Sequence, residues 1–249
     1  MLRIMQKFAL CLLASVLGAA DCSVAQSFAG TNRKTDLAHL PLENVRIEVQ
    51  SIEELFSRLS FSYDIPVGLE IARNDEALPV YRLNFKGGTL SDLLTQFVIE
   101  HNQYDWEIKD GVVSVFPKEV YRDPILGELL ATEISRFSVK EKSSCWALGE
   151  SLVATPEIRR ILELYGLAYD AGSLSGFYIQ QLGQRFAFEV SKMQLKSILE
   201  KVIRESPVAR IWIIRKDSSA QTLSLRIKAR LEYSPETSKE AGSARQNFH

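Results

Sequence analysis

Histidine and cysteine are nearly missing from this 249-residue chain, with three copies of each. So few nitrogen and sulfur ligands leave little from which to build a metal centre or a Cys–His catalytic pair. An excess charge of either sign is missing too: 30 Lys and Arg stand against 31 Asp and Glu, a formal −1. Non-specific nucleic-acid binding runs on a surplus of cations, so it is excluded as the main work of the chain. There is no Gly-x-x-x-x-Gly-Lys loop, Gly-x-Gly-x-x-Gly turn, Gly-x-Ser-x-Gly elbow or Ser-x-x-Lys pair, so the common signatures of nucleotide binding and serine hydrolysis are absent. No cofactor is called for. Beyond the first residues no apolar run reaches the roughly 20 positions that a membrane-crossing helix needs. With 46% hydrophobic and 24% charged residues, what remains is the balance of a globular protein.

The first 25 residues have the three parts of a secretory signal peptide. Arg3 and Lys7 form the positive region, residues 8–17 the apolar region, and Gly18-Ala19-Ala20 or Ser23-Val24-Ala25 the small-residue cleavage point. Cutting after Ala25 leaves 28 basic and 30 acidic side chains, a net −2, with Cys145 as the remaining cysteine. Ala19-Ala20-Asp21-Cys22 resembles a lipoprotein box, but Asp21 occupies a place where that motif carries Gly, Ala or Ser, which speaks against lipidation through Cys22. The expected location is periplasmic or secreted, in a bacterium. Residues 26–41 are polar and aperiodic and read as a flexible leader; residues 234–249 read as a disordered tail.

Between them the pattern predicts an α+β fold in which one β-α-β-β-α-β-β unit occurs twice. Val45, Ile47 and Val49 alternate as a strand. Ser51 with Glu54 starts a helix whose stripe is Ile52, Leu55, Phe56 and Leu59, and Pro66 closes it. Val67, Leu69 and Ile71, then Tyr81, Leu83 and Phe85, give two more strands. Thr89 with Asp92 starts a second helix, with Leu90, Leu93, Leu94, Phe97 and Val98 on one face. Tyr104, Trp106 and Ile108 lead through the Asp110-Gly111 turn to Val113 and Val115. Shifting by 105 places Phe186, Phe188 and Val190, then Leu195, Ile198, Leu199, Val202 and Ile203, then Ile211 and Ile213, on apolar partners. Leu223, Leu225 and Ile227 continue as the returning strand. Phe137 and Val139 answer Val45 and Ile47 at a shift of 92. The second unit therefore carries an insertion at 145–173, with two short helices, the second marked by Thr155, Pro156 and Gly166. The boundaries are 42–120 and 121–233, each unit having two helices on small mixed sheets; one mixed domain with convergent halves is the alternative.

Residues 44–117 resemble the secretin and TonB short N-terminal domain. The likeness rests on Ile47-x-Val49-x-x-Ile52-x-x-Leu55, on Ile65-Pro66-Val67 and on Leu83-x-Phe85-x-Gly87-Gly88-Thr89-Leu90-x-x-Leu93-Leu94. It rests also on Tyr104-x-Trp106 and Asp110-Gly111-Val112-Val113; residues 134–232 resemble a diverged second copy. The resemblance implies a periplasmic docking module for another envelope protein, outer-membrane or periplasmic. Family members precede a secretin or a barrel, and no such segment follows here, so channel formation and siderophore uptake are not carried over.

The expected function is therefore non-enzymatic protein interaction, with strand addition at a sheet edge as its candidate mode. Trp146, Phe177 and Tyr178 are candidate anchors, because aromatic side chains dominate binding hot spots. Arg226, Lys228 and Arg230 alternate along the last strand and form a candidate contact for an anionic partner, or else a solvated face. Glu53-Glu54 reads as surface charge beside a helix cap. His101, near a helix end, is the single histidine held by the scaffold. A carrier of small ligands or envelope polymers, or an envelope hydrolase with a pocket between the units, is the alternative.

Overall fold

The computed structural model describes residues 36–73, 80–139, 145–170, 187–206 and 209–229. All of them fall within one compact unit, Lys34–His249. The fold is α+β. Its first half comprises β1 (Pro41–Val49), α1 (Ile52–Tyr63), β2 (Val67–Glu70), β3 (Tyr81–Thr89), α2 (Leu90–Glu100), β4 (Tyr104–Lys109) and β5 (Val112–Pro117). After a short turn come α3 (Pro124–Ala131), β6 (Glu133–Val139), α4 (Cys145–Val153), α5 (Pro156–Tyr165), β7 (Ala168–Tyr169), β8 (Phe188–Gln194), α6 (Leu195–Glu205), β9 (Ala209–Asp217) and β10 (Thr222–Ala229). The expected boundary at 120 falls between β5 and α3, and the insertion supplies α4, α5 and β7.

Local chemistry sets these boundaries. The Ser51 hydroxyl accepts from the Glu54 N–H at 3.1 Å and opens α1, which closes on Asp64 in the left-handed region (φ 55°). Thr89 and Asp92 cap one another at the start of α2. Asp110 and Gly111 take φ values of 52° and 78°, the positive pair that a two-residue hairpin turn requires. Helix α3 is absent from the sequence reading, although Asp123 accepts from the Ile125 N–H and Pro124 fills the first turn.

The two halves repeat their connections. In each, a two-stranded antiparallel ribbon packs on helices, with Leu42 opposite Gly88, Val45 opposite Phe85 and Ile47 opposite Leu83 in β1–β3. In β6–β8 the pairs are Ile134–Met193, Phe137–Val190 and Val139–Phe188, the same register at offsets of 92 and 105. The Leu90 N–H donates to the Leu40 carbonyl, and the Leu195 N–H to that of Thr132, at the same two offsets.

The expected small sheets of the two halves are not separate. Strands β4-β5-β2 of the first half and β9-β10-β7 of the second join into one six-stranded sheet through β2 and β9. Read in that order, the first pair of each triplet (β4–β5 and β9–β10) is antiparallel and the second (β5–β2 and β10–β7) parallel, and the β2–β9 junction is parallel. Strand order is therefore kept from left to right while every direction reverses. A half-turn about an axis lying across the strands does this, and it exchanges the faces of the sheet. Helices α1 and α2 accordingly share one core with Val67, Leu69, Val113 and Val115, whereas α3 to α6 share another with Val112, Leu223, Leu225 and Ile227.

One expectation is corrected here. Ile211 and Ile213 do not answer Trp106 and Ile108: they enter the first half's core, while Trp212 and Ile214 enter the second's. A slip of one residue sends every side chain of a strand to the opposite face. The shift follows from one added residue between α6 and β9, so Trp212 and Ile214 are the counterparts of Trp106 and Ile108 at an offset of 106.

Candidate interaction surface

Strand β9 has a neighbour on both sides, and both of its faces are buried along Ile211, Trp212, Ile213 and Ile214. Its pairing with β2 depends on a glycine. Gly68 lies opposite Trp212, and a β-carbon there would stand 2.5 Å from the indole Cε2 and Cζ2 atoms. The indole thus lies directly on the backbone of the neighbouring strand, and its N–H finds no acceptor among the described residues. The Ile71 N–H donates to the Ile214 carbonyl at 3.0 Å, and the Ser60 hydroxyl lies 3.1 Å from the Arg210 carbonyl, extending the seam at either end.

Ion pairs close the seam. Glu70, 2% exposed, receives two bonds from the Arg122 guanidinium at 2.7 and 2.8 Å. Burial raises its pKa, an effect that Arg122 only partly offsets. Asp123 pairs with Lys216 at 2.8 Å. Across the sheet, Lys196 of α6 meets Glu107 of β4 at 2.9 Å and Glu200 at 3.0 Å, and the Ser114 hydroxyl donates to Glu200. Burial alone would lower the Lys196 pKa, but the two carboxylates outweigh it and hold the ammonium charged.

Two of the candidate cations, Arg226 and Lys228, reach from β10 to α1 of the first half. Lys228 Nζ lies 2.7 Å and Arg226 Nη1 3.3 Å from Glu53 Oε1 on α1. Burial would raise the Glu53 pKa, yet Lys228 and Arg226 together bring it below the ordinary carboxylate value. Glu53, read from the sequence as a surface charge, has a side chain only 15% exposed and ties the halves together. Nothing in a linear pattern marks it, because its partners lie about 170 residues away. Arg230, Phe177 and Tyr178 lie outside the described residues; Trp146 stands in the first turn of α4, with its side chain outside them as well.

Among the described residues, the edges of the sheet are β4 and β7. The two-residue turn makes Lys109 and Val112 a hydrogen-bonded pair, so Glu107 and Asp105 also bond towards β5 while Trp106 and Ile108 direct their backbone groups away from it. Asp105 Oδ1 covers one outward donor, the Trp106 N–H, at 2.8 Å. Side chains on β4 alternate: Tyr104, Trp106 and Ile108 lean on the first core, while Asp105, Glu107 and Lys109 are charged. On β7 the Ala168 and Asp170 N–H groups donate to Gln221 and Leu223, so that of Tyr169 points outward. The Tyr169 hydroxyl donates to the Leu225 carbonyl, and burial, with Glu150 and Asp170 adding to it, pushes its pKa up to about 12.

His101 stacks its ring on Phe97 and Tyr81, with centroids 4.7 and 5.3 Å apart. Among the described residues no three His, Cys, Asp or Glu side chains gather as a metal set, and no helix is long and apolar enough to cross a membrane. No protein-family model, curated protein or solved structure matches the chain.

Proposed function

We propose that this protein is a non-enzymatic interaction module of the bacterial cell envelope, exported to the periplasm and recruiting a partner by adding a strand to its sheet. The single observation that carries this reading is the β2–β9 seam, where strand addition between two similar three-stranded pieces already builds the molecule. Strand addition draws affinity from main-chain bonds and selectivity from the alternating side chains. Strand β4 meets both needs: its outer backbone is unpaired by any strand among the described residues, and it presents Trp106 and Ile108 in alternation with charge. The leader resembling a signal peptide and the likeness of residues 44–117 to the secretin and TonB short N-terminal domain support the same compartment and role.

A photo-crosslinking residue at Asp105, compared with one at the exposed Ile99 of α2, tests the proposal in intact cells of the source bacterium. Crosslinking to an envelope protein from position 105 and not from 99 is expected. Equal or absent crosslinking at both positions overturns it.

A further inference from the structure

Among the described residues, the two edges of the sheet are the same two kinds of strand that meet in its middle. At the seam, β2 of the first half pairs with β9 of the second. By topology β7 is the second half's counterpart of β2, and β4 is the first half's counterpart of β9. The chain therefore uses one member of each kind and leaves the other at an edge. We infer that the occupant of the β4 edge is a second copy of this chain, which lays its β7 alongside in parallel. This rests on the strand-addition reading above and names its partner.

Strand directions settle whether the contact can form. Strand β5 is antiparallel to β4, and β2 and β9 run with β5; β10 and β7 reverse again. Strands β4 and β7 consequently point the same way. A second copy moved along the sheet without being turned over brings its β7 beside β4 in the parallel sense, which is the sense of the β2–β9 seam. Within their halves Trp106 and Ile108 hold the places of Trp212 and Ile214, and the Ile108 carbonyl faces outward as does that of Ile214, which accepts from Ile71. Strand β7 offers Ala168 and Tyr169, so among the described residues the new contact has no counterpart of the Gly68–Trp212 approach. Because the two contacting surfaces differ, the contact does not close on itself as a two-fold dimer; each added copy exposes a fresh edge, and the product is an open row. The Asp105 carboxylate on the Trp106 N–H and the charges of Glu107 and Lys109 weaken the edge as a template, which keeps growth concentration-dependent rather than irreversible.

Sedimentation of the full mature chain over a wide concentration range is the test, with Ile108→Pro and Tyr169→Pro as variants. Each proline removes an N–H that faces away from the sheet, so the internal ladder is kept. The wild type is expected to rise past twice the monomer mass with no plateau at the dimer. Each variant alone stays monomeric, and the two mixed stop at a dimer, because one supplies β7 and the other β4. Wild type that remains monomeric at every concentration up to its solubility limit overturns the inference, as does a Tyr169→Pro variant that dimerises alone, which signifies a self-complementary β4 contact. Amide exchange at Trp106 and Ile108 in the unaltered protein guards against a variant that fails to fold: slowing with protein concentration is expected, and concentration-independent exchange overturns the inference. A monomeric chain that still crosslinks to a different envelope protein from position 105 sinks self-assembly and spares the docking function; a monomeric chain that crosslinks to nothing sinks both.

Discussion

Strands β4 and β9 occupy the same place in the two halves and differ in what lies beside them. Strand β4, Tyr104-Asp105-Trp106-Glu107-Ile108-Lys109, alternates apolar and charged residues, pairs on one side and packs on one core. Strand β9 pairs on both sides, and Ile211 to Ile214 are apolar on both faces, because one half's helices cover one face and the other half's the other. The difference teaches that the number of apolar faces on a strand records how many layers enclose it, independently of the unit that the strand belongs to.

That contrast can be broken most severely at the paired tryptophans. Replacing Trp212 by Ala opens a cavity at the shared seam and is expected to cost about 3–5 kcal/mol, whereas Trp106→Ala, at a half-buried edge position, is expected to cost about 1–3 kcal/mol. Equal losses in urea unfolding of the two variants would show that the outer side of β4 is as enclosed as β9. Gly68→Ala tests the seam from the other strand. Its new methyl group meets the indole ring of Trp212, and overpacking of this kind costs about 1–3 kcal/mol; an unchanged melting temperature would mean that the indole does not lie on β2.

The smallest effect concerns the charges across the sheet. Glu53 has a lowered pKa in the folded protein, so its stabilising contribution is complete above the ordinary carboxylate pKa and is lost as the pH falls through the lowered folded value. Glu53→Gln is expected to cost about 1 kcal/mol at pH 7. The gap between wild-type and variant urea midpoints should narrow in acid, below the ordinary carboxylate pKa of about 4. A gap that stays constant down to pH 3 would assign the cost to packing rather than to Lys228 and Arg226.

Much of each half was legible residue by residue. The stripes Leu90-Leu93-Leu94-Phe97 and Leu195-Ile198-Leu199-Val202 fall on buried helix faces, and the Thr89 cap, the Asp110-Gly111 turn and Gly166 fall where local chemistry requires them. Such signals act over a few residues and survive in a linear reading. The register of β9 did not survive it, because the decisive feature is one extra residue in a short connection, and both candidate registers of Ile211-Trp212-Ile213-Ile214 are apolar. The anionic partner of Arg226 and Lys228 was equally hidden, since alternation of cations describes a solvated face and a bridged one alike. Helix α3 was announced by Asp123 and Pro124, a cap signal that stood unused in the linker.

The order of residues by itself determined which segments are helices and strands, where they are capped, and which side of each is apolar, because those preferences are set by steric and hydrogen-bonding demands between near neighbours. Only the tertiary structure decided that two similar halves share one sheet, turned over with respect to one another, with β2 and β9 spent on the seam and β4 and β7 left at the edges. That choice depends on a glycine and a tryptophan 144 positions apart coming into register, and contacts at such range acquire their energy only once both halves have formed.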